Sequence, residues 1–327
     1  MFNGKVKSAL YSLLLVAIGG GIGYYFKDKN IMNMTGESAE IRDFKKDHQF
    51  INPLLACEGL ENVSNKELLD LKNNVASYIN QKKKDKDLSY AAIYFRDLNN
   101  GPWFGIDEKN SFNPGSLLKV PLVMTVFNIA DRDPSFLDKV IEYAGGDSQA
   151  EQFYLPDKSI EIGKKYTVME LIEYSLKYSD NNATLILSQI ANNKDTRETY
   201  SELGVEYPET ELYKVSVRTY ASFFRILFNA SYLDRDYSEK ILEILSEAKF
   251  SLGLRAGVPA EVPVSHKFGE REIAEDLFQL HDCGIVYVPE KPYLLCIMTQ
   301  GKQMDTLSSI IRDISKMTYE SVTLNNE

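Results

Sequence analysis

The sequence predicts an α/β protein of the α+β type: an antiparallel sheet flanked by helices, with a second, all-helical lobe inserted into it and one N-terminal transmembrane helix ahead of it. Three observations lead there. Runs rich in β-favouring residues stand at 88–106 and again at 262–298, while the long stretch between them, 116–249, is helical in its apolar spacing. An amphipathic segment at 305–319 closes the chain. Near the start, an apolar run at 9–26 is bracketed by Lys5 and Lys7 on one side and Lys27-Asp28-Lys29 on the other.

That apolar run is about as long as a bilayer span, for which roughly 17 to 25 residues are needed. Its small residues lie inside it and Tyr24-Tyr25-Phe26 closes it. This suits an uncleaved anchor with an interfacial aromatic belt better than a signal peptide with a small-residue cleavage site. Residues 1–30 are therefore expected to form a cytoplasmic tail and anchor, and 31–60 a polar linker or arm. Residues 61–327 form the folded domain, with its helical lobe at about 113–250. Within the domain, Leu68, Leu69, Leu71, Val75, Tyr78 and Ile79 mark one face of a helix over 65–82. A strand over 88–98 follows. Asn99-Asn100-Gly101-Pro102 makes the turn, and 103–106 returns as its partner. Thr167-Val168-Met169-Glu170 is a capping box that opens a helix through Lys177. Further helices are expected over 183–191 and 218–233, and strands over 262–267, 284–288 and 293–298. Pro289 to Pro292 make the last turn.

Composition removes several classes of function. The chain has 327 residues, 44% of them hydrophobic, and a formal net charge of −10. An acidic balance argues against a nucleic-acid partner, because phosphate contacts need a basic stripe. Cys57, Cys283 and Cys296 cannot all pair and none stands in a C-x-x-C spacing, so neither a disulfide framework nor a zinc site is implied. His48, His266 and His281 are the only histidines, and none pair at metal-ligand spacing. No metal and no cofactor are expected. Serine chemistry here calls for a base other than histidine.

Three short motifs could supply it. Asn113-Pro114-Gly115-Ser116-Leu117-Leu118-Lys119 places Ser116 and Lys119 three apart at the expected start of an apolar helix. A serine hydroxyl is a weak nucleophile until a neighbour takes its proton, and a lysine in apolar surroundings can do so. Alone, the pattern more often marks an N-cap serine followed by a lysine that snorkels. Tyr178-Ser179-Asp180-Asn181 lies between two helices, where it could also be a capping loop. His266-Lys267-Phe268-Gly269 ends a β-run, where it could be an edge lysine before a bend.

In this order and on these elements, the three motifs resemble S-x-x-K, S-D-N and K-T-G of the class A β-lactamase and penicillin-binding family, and the resemblance runs from about residue 60 to the end. Leu254-Arg255-Ala256-Gly257-Val258-Pro259 and His281-Asp282-Cys283-Gly284-Ile285-Val286 add to it. The resemblance implies a β-lactamase/transpeptidase-like fold. It also implies acylation of Ser116, proton acceptance by Lys119 and a proton relay through Ser179. Asn181 would hold the substrate amide and Lys267 its carboxylate. The backbone N–H groups of Ser116 and Glu270, on the strand that carries Gly269, would form an oxyanion hole. Substrates would be β-lactams or peptidoglycan peptides of the D-alanyl-D-alanine type, met by a monomer facing outward from the membrane.

Two departures qualify the match. Phe268 stands where the family has a hydroxyl. Glu209-x-x-Leu212-Tyr213 approximates the E-x-x-L-N loop that activates the deacylating water, but the next helix begins at about Ser216 and leaves the loop short. A D-Ala-D-Ala carboxypeptidase or penicillin-sensing protein with slow deacylation is the alternative expectation.

Overall fold

A computed structural model describes residues 48–52, 66–99, 101–146, 152–210 and 212–324, all within one unit, Asp47–Glu327. The expected anchor, most of the expected tether and Cys57 lie outside the described residues. Among the described residues no helix is long and apolar enough to cross a membrane.

Helix α1 (Lys66–Lys84) leads into β1 (Tyr90–Asp97) and β2 (Trp103–Ile106), and the short strand β3 (Ser111–Phe112) follows. A 3₁₀ turn, Gly115–Leu118, then runs directly into α2 (Lys119–Arg132). The helical lobe continues through β4 (Val140–Glu142), β5 (Lys165–Thr167), α3 (Val168–Lys177), α4 (Asn181–Ile190) and α5 (Asn193–Glu202). It ends with β6 (Val215–Ser216), α6 (Val217–Phe228) and α7 (Arg235–Ser246). After a second 3₁₀ turn, Leu254–Gly257, come β7 (Val264–Ala274), β8 (Leu277–Val286), β9 (Tyr293–Gly301) and the closing α8 (Met304–Thr323).

The main sheet is antiparallel, in the order β2-β1-β9-β8-β7. Alternation along a strand sends neighbouring side chains to opposite faces. Ala91, Ile93 and Phe95 thus join one core with Val75 and Ile79 of α1 and Leu307, Ile311 and Ile314 of α8. Ala92 and Tyr94 face the other core, built by α2, α3, α4, α6 and α7. Helix α2 runs through that second core, with residues 119–127 all buried, as a helix apolar on every side must be. The capping box is formed: Thr167 Oγ1 accepts from Glu170 N, and the Glu170 carboxylate accepts from Thr167 N.

Four expectations change. Ser116 sits in a 3₁₀ turn rather than at the first position of an α-helix. Pro121 lacks the N–H that an α-helix would aim at the Leu117 carbonyl, and the buried Tyr220 hydroxyl donates to that oxygen instead, at 2.9 Å. Lys267 lies in the first half of β7 rather than at a strand end, because β7 and β8 extend to a turn at Asp276 with φ 54°. The outer part of that hairpin, Arg271 to Ala274, is charged and exposed, so ladder bonding rather than burial makes it a strand. Residues 50 and 51 are not free tether. Phe50 and Ile51 are 8% and 3% exposed in the helical-lobe core, and the Glu239 carboxylate accepts from both backbone amides. Finally, Cys283 and Cys296 are register partners on β8 and β9, with Cα atoms 4.0 Å apart, and are joined as a disulfide. Strand register creates that pair, and sequence spacing carries no trace of it.

Candidate active site

The turn bearing Ser116 is held from several sides. Gly115 has φ +50°, and a Cβ there would meet the Glu270 carbonyl oxygen at 2.4 Å and the Glu270 nitrogen at 3.1 Å. A Cβ on Gly269 would lie 2.5 Å from the Pro114 carbonyl oxygen and 2.8 Å from Leu117. Two glycines therefore let β7 press its backbone against the nucleophile turn. Gly269 acts through this close packing, and the amide of Glu270 is brought beside the turn. Asn113 ties the turn down further. Its N–H donates to Gln279 Oε1 at 3.0 Å, its Oδ1 accepts from Gly115 N at 3.1 Å, and its carbonyl meets His281 Nε2 at 2.9 Å. His281 Nδ1 accepts from Thr299 N, so Nε2 carries the proton. Burial pushes this imidazole down to about 4 and keeps it neutral.

Lys119 is buried, and in its protonated form all three N–H groups have acceptors. These are the Ser179 carbonyl at 2.6 Å, Asn181 Oδ1 at 2.7 Å and Ser179 Oγ at 3.1 Å. None belongs to Ser116, which lies half-buried one helical turn before Lys119. Lys267, on β7, reaches the same hydroxyl from the other wall, donating to Ser179 Oγ at 3.0 Å and to the Phe268 carbonyl at 2.9 Å. Ser179 itself has φ 58°, a strained position for a serine. Asp180 holds it there: one carboxylate oxygen accepts from Asn182 N and caps α4, and the other accepts from Ile160 N, each at 2.8 Å.

Electrostatics follows from this packing. Burial holds Lys119 well below the usual lysine range, and the charge of Lys267 adds to the effect, while Asp180 and Glu270 oppose it. Burial pushes Lys267 down to about 7 against the opposing pull of Asp282 and Glu270. A lysine that is neutral near physiological pH can accept a proton, which an exposed lysine cannot.

The Glu270 side chain has a task of its own. Its carboxylate accepts from the N–H groups of Phe153 and Tyr154, both at 3.0 Å, and burial raises its pKa. In the same segment Gln152 Nε2 donates to the Ser179 carbonyl at 3.2 Å. Residues 152–154 thus strap the Ser179 loop to β7. The Phe268 ring stacks on Phe250 with centroids 4.1 Å apart, and Lys267 Nζ lies 4.2 Å from its centre.

Lys119, Ser179, Asn181 and Lys267 are therefore brought together by direct hydrogen bonds, and the turn that carries Ser116 packs against the Glu270 backbone. Glu209 is not among them. It pairs with Arg197 at 2.5 Å, and its side chain is 64% exposed. None of the histidines serves as a base for Ser116: His266 meets Asp282 at 2.9 Å, His281 holds Asn113, and His48 approaches Asp236. The supports that sequence reasoning missed are Tyr220, Gln279, His281, Asp282 and Gln152. Only their tertiary partners set them apart from ordinary core or loop residues. Among the described residues no group of His, Cys, Asp or Glu could hold a metal ion.

A family model described as the Beta-lactamase enzyme family matches residues 70–322. A β-lactamase of Bacteroides uniformis is 22% identical over 284 residues, covering 78% of this chain and 92% of that protein. Among solved structures, a β-lactamase from Chitinophaga pinensis superposes with a TM-score of 0.66 at 19% identity, over 76% of this chain and 99% of its own. A class A β-lactamase from Bacteroides cellulosilyticus gives 0.66 at 20% identity, over 80% and 99%. The structure of PBP-A gives 0.64 at 19% identity, over 78% and 96%.

Proposed function

The chain belongs to the β-lactamase enzyme family, and from that premise we propose that it is an acyl-serine hydrolase that opens β-lactams, or cleaves D-alanyl-D-alanine-type peptides, through an ester on Ser116. The observation that carries this reading is the Ser179 hydroxyl, held within 3.1 Å of Lys119 and 3.0 Å of Lys267 beside the Ser116 turn. Both lysines have depressed pKa values.

In this mechanism neutral Lys119 takes the Ser116 proton as the oxygen attacks the substrate carbonyl. The Ser116 and Glu270 amides receive the developing oxyanion. Ser179 passes its proton to the departing nitrogen and regains one from the lysine pair, which returns Lys119 to its neutral form. Charged Lys267 draws in the substrate carboxylate, and Asn181 orients its amide. Water then releases the acyl group.

Deacylation is where the two readings divide. With Glu209 paired to Arg197 in solvent, the carboxylate that the motif would use to activate water is turned away from Ser116. Each 1.4 kcal/mol added to a barrier slows a step about tenfold. A slow second step favours a carboxypeptidase-like or penicillin-binding activity over efficient β-lactam hydrolysis. The apolar run at 9–26 would tether this activity as a single-pass monomer outside the cytoplasm, where peptidoglycan peptides are met.

The test is intact-mass spectrometry of the protein mixed with a penicillin and followed over time, with Ser116→Ala beside it. An adduct only in the chain with Ser116, decaying over hours, is expected. Rapid decay with turnover of drug would return the assignment to β-lactamase. Hydrolysis by Ser116→Ala at the parent rate would overturn the nucleophile.

A further inference from the structure

A second cavity, sharing no residue with the Ser116 cluster, lies between the β1–β2 hairpin and α6. Its volume is about 290 Å³, and Tyr94, Arg96, Trp103, Leu203, Arg218 and Arg225 are among its walls. The sequence periods explain why these side chains meet. Tyr94 and Arg96 are two apart on β1 and share a face, and the register sets Trp103 opposite Arg96. On α6, Arg218 and Arg225 are seven apart, two turns along one stripe.

We propose that this cavity is a binding site for a dianionic oxyanion: a phosphate, or the phosphate group of a small phosphomonoester. Arg96 and Arg218 both line this cavity, and among the described residues no acidic residue stands in its walls. Among the described residues Arg96 and Arg218 are paired with no carboxylate, in a chain whose net charge is −10. Like charges gathered in this way repel, and a ligand with two negative charges relieves them. The forks are also pre-set. Arg218 lies 4.7 Å from the centre of the Trp103 ring, and Tyr94 stacks on the same indole at 5.7 Å. Stacking fixes a guanidinium plane and leaves its edge N–H groups for bidentate contacts to oxyanions. Bare phosphate fills only part of the volume, so a phosphomonoester with a compact organic remainder fits the space.

Trp103 is the single tryptophan of the chain, so intrinsic fluorescence reads this cavity directly. The full chain is titrated with inorganic phosphate at constant ionic strength. A saturable change in emission is expected, weakened about tenfold or more in Arg96→Gln and in Arg218→Gln and partly kept in Arg218→Lys. Acylation by penicillin should proceed at the parent rate in each variant. A flat titration of the unmodified chain, or a response that chloride reproduces, would overturn the site without recourse to any variant. An unchanged response in the Arg96→Gln/Arg218→Gln pair would do the same. Saturation by succinate with none by phosphate would overturn the ligand class.

Discussion

Ser179 Oγ lies between the amino groups of Lys119 and Lys267, and the charge of Lys267 helps hold Lys119 below the usual lysine range, so the pH behaviour of the site follows from that pair. Lys119 must be neutral to accept a proton, while Lys267 must be charged to draw in a carboxylate. The second-order rate of acylation should therefore fall on the alkaline side as Lys267 loses its proton, from about 7 upward. Arginine cannot be deprotonated in this range, so Lys267→Arg should lose that alkaline limb, as stopped-flow acylation across pH would measure. Tyr220 gives a second prediction at this scale. Tyr220→Phe leaves the Leu117 carbonyl without its 2.9 Å partner. It should cost about 1–3 kcal/mol in denaturant unfolding and slow acylation, because the same carbonyl belongs to the nucleophile turn.

Elements, rather than single residues, bring the motifs together. The turn Gly115–Leu118, the loop at 179–180 and strand β7 each supply one wall, and the strap 152–154 links the last two. Glu270→Gln removes the charge that holds the Phe153 and Tyr154 amides. Amide hydrogen exchange at those two positions should speed by about tenfold or more if the strap opens as a unit. The same substitution removes a charge that supports protonated Lys267, so the alkaline limb should move to lower pH. At the contact between β7 and the nucleophile turn, Gly269→Ala drives a methyl group to 2.5 Å from the Pro114 oxygen. Overpacking of this kind costs about 1–3 kcal/mol, and acylation should fall with it.

For the molecule as a whole, the buried lysines tie stability to pH. Lys267 titrates near 7 when folded and at 10.5 when unfolded. Between those values the unfolded chain binds more protons, so stability rises with pH across this window and the contribution is flat below it. Thermal unfolding should occur at higher temperature at pH 9 than at pH 7, by a few kcal/mol in stability, and Lys267→Met should flatten the rise. The packing of Phe50 and Ile51 is a second global feature. Deletion of residues 1–52 should cost a few kcal/mol, since each buried apolar side chain contributes about 1.5–3 kcal/mol.

Much of this architecture is legible in the chain. β-favouring composition and the Asn99–Pro102 turn mark β1 and β2, the capping box marks α3, and apolar spacing marks α6 and α8, because each signal is carried by neighbouring residues. The motifs of Ser116, Ser179 and Lys267 are legible for the same reason: each is a few consecutive residues. What sequence could not supply is contact between distant segments. Glu209 fits its motif in one dimension, yet the fold pairs it with Arg197. Cys283 and Cys296 pair only because β8 and β9 choose that register. Glu270 becomes a latch only because residues 152–154 cross its strand, and Arg96 and Arg218 line one cavity only because a hairpin packs near a helix. Local periodicity writes the elements; long-range packing, whose partners leave no mark on each other's sequence, decides which side chains share a site and what charge they carry there.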